Sequence, residues 1–123
     1  MPYTVKEKDA GTHVEVILTG SVDYGAGQSL HAAVIGAAIH HQGRLLLVDA
    51  TGMKGRPDVL QSIQALGTMP SEKAKLVPRM AVVDGQTSRA TYIVVESMLG
   101  QMGLQAKWFA DRESALEWLL KKQ

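Results

Sequence analysis

Cysteine is absent from the 123-residue chain. That excludes disulfides, thiolate nucleophiles and any zinc site built on sulfur, and it fits a reducing compartment. Aromatic residues are scarce at 5%, so a core must be filled by Val, Ile, Leu, Met and Ala. No apolar run approaches the roughly 20 residues needed to span a bilayer. The longest, Leu30 to Ile39, is interrupted by His31 and Gly36. The opening MPYTVKEKDAG has no apolar signal core. These absences predict a cytoplasmic protein without a transmembrane segment. An excess of one charge is also missing. Thirteen basic residues are interleaved with twelve acidic ones, for a net charge of +1. Nucleic acid is therefore not the expected partner, because phosphate binding needs a clustered basic face.

What is present points to one folded domain over residues 1–123. Apolar residues make up 46%, and the length suits a single core. Tyr3–Lys6 reads as a short edge strand, Asp9-Ala10-Gly11 as a turn, and His13–Thr19 as a second strand rich in β-branched residues. Asp23–His41 reads as a helix capped by Asp23 and ended by Gly43. The apolar run Arg44–Asp49 has the pattern of a central strand covered on both faces. A loop, Ala50–Arg56, leads to Pro57 and a helix reaching about Thr68, followed by the polar segment Met69–Pro78. Then come a strand at Arg79–Asp84 and a helix at Ala90–Met102, with Ile93, Val94, Met98 and Leu99 facing inward. A short strand at Gln105–Ala110 and a helix capped by Asp111 complete the chain. The predicted fold class is α/β, with element order β-β-α-β-α-β-α-β-α. It is a single open mixed sheet with an N-terminal hairpin, then mostly parallel strands, with helices largely on one side.

Chemistry-bearing motifs are few. Gly25-Ala26-Gly27-Gln28-Ser29 lacks both the dinucleotide spacing, since Leu30 stands at the next position, and the Gly-Lys-Ser/Thr of a phosphate loop. His31 and His40 are half a turn out of phase on their helix, and no metal-ligand spacing is present. No serine occupies a nucleophile elbow. No catalytic group, metal or cofactor is expected. Trp108 and Trp118 suit helix–sheet packing or a pocket wall. The methionines at 69, 80, 98 and 102 suit a plain core or an apolar cavity.

Four segments in order carry a family resemblance. They are Leu18-Thr19-Gly20-Ser21-Val22-Asp23, Leu46-Leu47-Val48-Asp49-Ala50-Thr51-Gly52, Arg79-Met80-Ala81-Val82-Val83-Asp84, and Phe109-Ala110-Asp111-Arg112-Glu113-Ser114-Ala115-Leu116-Glu117-Trp118-Leu119. Together they resemble the STAS family, which includes the anti-sigma-factor antagonists, and its SpoIIAA-like branch in particular. The resemblance implies a non-enzymatic regulatory module that binds a protein. It also implies a phosphorylated serine in an Asp-Ser-Ser-Gly motif at the start of the second helix. Here Pro57-Asp58-Val59 stands in that place, so the phosphoserine switch is not expected.

The candidate contact surface is the end of the central strand, the loop after it and the start of the next helix: Asp49, Thr51, Gly52, Met53, Lys54, Arg56, Asp58 and Ser62. Ligand and partner sites in open α/β sheets favour the carboxyl ends of strands. Met53, Lys54 and Arg56 are expected exposed, either as a protein contact or as an ordinary solvated loop. Asp58 either imitates a phosphorylated serine or serves as an acidic helix start. The function expected is docking of a protein partner or a second copy of the chain. The alternative is a carrier or sensor of a small apolar ligand or lipid, a reading the SpoIIAA-like branch's likeness to lipid-carrier folds suggests.

Overall fold

The computed structural model describes residues 3–21, 34, 36, 37, 40, 41, 43–54, 60, 79–85 and 88–121. Its five strands are β1 (Tyr3–Asp9), β2 (Val14–Ser21), β3 (Leu46–Lys54), β4 (Arg79–Val83) and β5 (Gln105–Phe109). They lie side by side in chain order. β1 and β2 pair antiparallel, and each later pair is parallel, as the alternation of strands and helices predicts. Two described helices are complete, α1 (Arg89–Gln101) and α2 (Arg112–Leu120). Residues 34, 36, 37 and 40 are also helical, and so is Leu60, in agreement with the two earlier predicted helices. The predicted cap at Asp23, most of the helix after Pro57, and the segment 69–78 lie outside the described residues.

The pleat sorts the strand residues onto two faces. Val14, Val16 and Leu18 of β2, Leu46 and Val48 of β3, and Met80 and Val82 of β4 form the larger core, closed by Ala37 and by Val95 and Leu99 of α1. Leu47, Ala81 and Val83 point the other way, onto Ala115 and Leu119 of α2. β3 and β4 are thus apolar on both faces because both are covered. On α1 the inward stripe is Thr91, Val95 and Leu99, while Ile93, expected inside, is 46% exposed. Trp108 packs against the larger core and stacks on Tyr92, and Trp118 packs with the smaller one against Phe109. Met80, Met98 and Met102 all belong to the larger core or its margin.

Local chemistry sets the element ends. Ser88 Oγ accepts the Thr91 amide at the start of α1, and Asp111 Oδ1 accepts the Ser114 amide at the start of α2. These satisfy first-turn donors that the helix leaves free. α1 closes with Gly103 at φ 95°. The Leu104 amide donates to the Leu99 carbonyl at 2.9 Å and the Gly103 amide to Gly100 at 3.1 Å, a paired closure that favours glycine at this point.

Two strands run longer than their composition suggests. β1 continues to Asp9, because its alternating lysines and acids still pair residue for residue with Val14–Gly20. β3 begins only at Leu46 but runs on through Lys54, beside Thr19, Gly20 and Ser21. The expected loop from Ala50 is therefore strand for five residues more, Ala50 to Lys54.

Candidate functional site

The carboxyl half of β3 is shaped by a bulge. Ile17 pairs with Asp49, but Thr19, two residues later, pairs with Gly52, three residues later. One extra residue on β3 shifts the side-chain alternation. Leu46, Val48 and Ala50 face the larger core before the bulge, and Met53 returns to it afterwards. Met53 is 3% exposed, which corrects the expectation of an exposed contact residue. Within the bulge, Asp49 Oδ1 accepts both the Thr51 amide at 3.0 Å and the Thr51 hydroxyl at 2.6 Å. Gly52 is pressed against β2: a β-carbon there would stand 2.9 Å from Thr19 Cγ2 and 3.3 Å from the Leu18 carbonyl oxygen. Thr51, Gly52 and Lys54 are exposed and Asp49 is half-buried. Arg56, Asp58 and Ser62 lie outside the described residues.

A second polar group sits on the face that α2 covers. His13 and Glu15 point to that side of β2, opposite Val14 and Val16, and both are buried. Arg112, the first residue of α2, clasps Glu15. Its Nη1 donates to Oε1 at 3.1 Å and its Nη2 to Oε2. His13 Nε2 lies 2.9 Å from Glu15 Oε2, and the Thr12 hydroxyl lies 2.8 Å from His13 Nδ1. An ionised Glu15 carboxylate can only accept, so the hydrogen of this contact sits on His13 Nε2. The Arg112 guanidinium, helped by His13, holds the Glu15 carboxyl below its ordinary range against the opposing effect of burial. Arg112 also feels the charge of Asp49, which ties this network electrostatically to the β3 bulge.

Sequence reasoning did not single out Glu15 or Arg112. The available signal was a histidine and a carboxylate at alternate positions in an otherwise apolar strand. Chemically, the arrangement favours fixed charge over proton transfer, since a carboxylate held ionised this way is a weak general base at neutral pH. Toward the β1 edge the same face continues with Thr4, Lys6 and Lys8, all exposed, and with Thr4 and Thr19 joined through their hydroxyls. A polar strip thus runs from β1 across β2 to the exposed end of β3.

On the opposite face, Glu7 Oε1 of β1 meets His41 Nε2 at 2.7 Å and His40 Nδ1 at 3.6 Å. Among the described residues this is the group whose donor atoms converge closely enough to hold a metal ion. Helix phase alone compares His40 with His31 and misses it, because the third member comes from a strand.

Solved structures similar to the chain along nearly its whole length include the following two. One is described as an anti-sigma factor antagonist from Mycobacterium paratuberculosis. It has 16% identity and a TM-score of 0.58, and the match covers 97% of this chain and 95% of that one. The other is an uncharacterized protein of the DUF3478 family with a SpoIIAA-like fold, from Shewanella loihica PV-4. It has 16% identity and a TM-score of 0.55, and the match covers 95% and 93%. At this identity the likeness establishes the fold. No curated protein matches the chain by sequence. None of the described helices is long and apolar enough to cross a membrane. The SpoIIAA-like family model matches residues 13–120, and with the sheet order and the two structural neighbours this places the chain in the SpoIIAA-like family.

Proposed function

We propose that this domain is a non-enzymatic regulatory module that docks a protein partner at the carboxyl end of β3. The contact surface is Asp49, Thr51, Gly52 and Lys54, continuing into Arg56, Asp58 and Ser62. The observation that carries the reading is the bulge. It turns Met53 inward while leaving Thr51, Gly52 and Lys54 exposed beside a half-buried Asp49. A strand end of mixed polarity is suited to a specific, non-obligate contact. The similarity to an anti-sigma factor antagonist points to the same class of partner, a regulatory protein. With Asp58 where the family resemblance implies serine, docking here is not switched by phosphorylation at that position.

The test is affinity capture from the native cells with the wild-type chain and with a Thr51→Arg, Lys54→Glu, Arg56→Glu variant. A protein recovered in near-stoichiometric amount by the wild type and lost with the folded variant supports the site. Equal recovery by both sinks it.

A further inference from the structure

We infer that Glu7, His40 and His41 bind one divalent cation of the zinc class. The three ligand atoms lie within 4.8 Å of one another. Tetrahedral coordination with bonds of about 2.0–2.1 Å places neighbouring ligand atoms about 3.4 Å apart. The separations here, 3.6 Å from Glu7 Oε1 to His40 Nδ1 and 2.7 Å to His41 Nε2, straddle that value. The ion enters by replacing the Glu7–His41 hydrogen bond, with a small outward movement of the carboxylate. Two imidazoles and one carboxylate suit zinc and its first-row neighbours, whereas magnesium and calcium prefer all-oxygen shells.

The fold supplies further support. Val5, Glu7 and Asp9 share the β1 face that looks onto the larger core, since they pair with Leu18, Val16 and Val14. The helical stretch that includes Ala37 and His40 ends against this face, with the His41 amide donating to the Ala37 carbonyl and Gly43 at φ 82° just beyond. The negative end of the helix dipole therefore lies at the two histidines, and it favours a cation there. Asp9 is not free to join as a ligand, because Arg44 holds both its oxygens, at 3.0 and 3.1 Å. His40 is 74% exposed in its side chain, which gives the ion a path from solvent and leaves a fourth position open to water. A bound ion links the sheet's edge strand to the helix end by a bond between segments more than 30 residues apart.

The test is zinc titration of the untagged, metal-stripped chain by calorimetry, with Tm and β1 amide exchange measured in parallel. One zinc per chain is expected, with a raised Tm and slowed exchange in β1. His40→Ala and Glu7→Gln should each weaken binding tenfold or more, the scale on which even outer-shell changes act, while His31→Ala leaves it unchanged. His40 is exposed, so its variant should keep the wild-type fold by circular dichroism. Absence of saturable one-to-one binding overturns the inference. So does binding that survives His40→Ala and Glu7→Gln together or disappears with His31→Ala. Because these readouts need no partner, they stand or fall independently of the docking site on β3.

Discussion

Arg112 and Glu15 are 97 residues apart in sequence, yet the guanidinium of one meets both carboxylate oxygens of the other. The pair joins the first turn of α2 to β2, a strand whose other face carries the larger core. Glu15 is buried and Arg112 is about half exposed, so this is a buried carboxylate neutralised from the surface.

Removing the cation leaves that carboxylate short of partners. Arg112→Leu should destabilise the domain by about 1–3 kcal/mol, the usual cost of leaving a buried hydrogen-bonding group without its partner, since the half-exposed Arg112 side lets water reach the carboxylate. Urea unfolding measures it. Glu15→Leu with Arg112→Leu together should cost less than the sum of the single changes, because the double variant strands no charge. Strict additivity would show that the pair is not coupled.

Acid should destabilise the protein through the same contact. The folded-state pKa of Glu15 is depressed, first by Arg112. Its contribution is therefore present above the ordinary glutamate value of 4.5 and is lost as pH falls through the folded value. Asp9, lowered chiefly by its hydrogen bonds from Arg44, and Asp111, lowered by those from Ser114, act in the same direction. Tm should be nearly flat from pH 7 to about 5 as far as these groups are concerned, then decline. In Arg112→Leu the decline should be shallower. An unchanged acid limb in that variant would remove Glu15 from the explanation.

Gly52→Ala should cost about 1–3 kcal/mol, the range for overpacking. The added methyl meets Thr19 Cγ2 and the Leu18 carbonyl, and the Thr19 side chain is held through its hydroxyl by Thr4. Thr19→Ser removes Cγ2 and keeps the hydroxyl, so it should recover part of the loss when combined with Gly52→Ala. No recovery in thermal unfolding would assign the strain to the Leu18 backbone alone.

Glu96 of α1 accepts the Trp108 amide of edge strand β5 at 2.9 Å. An edge amide left open is a point for pairing with another chain. Glu96→Ala should lower stability by about 1 kcal/mol and increase concentration-dependent self-association. Sedimentation at several concentrations checks this, and identical profiles for variant and wild type would contradict it.

Sequence and structure diverge most at β3. Asp49 is legible as the end of an apolar run, and Lys54 is exposed as expected; Thr51 and Gly52 are exposed too. The strand's continuation is not legible, because Thr51-Gly52-Met53-Lys54 has turn-like composition. Pairing with Thr19–Ser21 and the close seat of Gly52 against Thr19 keep it in the sheet. Met53 reads as exposed when the segment is taken for a loop, and the strand with its bulge turns it inward instead. The charged alternation of β1 likewise hides its full length, since the ladder to β2 rather than apolar content defines the strand there.

What the sequence determined by itself was local or periodic. The Asp111 cap acts over three residues, Gly103 supplies the positive φ that closes α1, and the two-sided apolar runs of β3 and β4 announce parallel strands under cover. Each arises from side chains acting on their own backbone or from a repeat along one element. The tertiary structure alone decided that Glu15 meets Arg112, that Glu7 meets His41 across 34 residues, and that Met53 turns inward. Those outcomes depend on strand register and on where a helix end comes to rest. Both are set by packing the whole sheet at once, so neither is encoded in the spacing of the residues concerned.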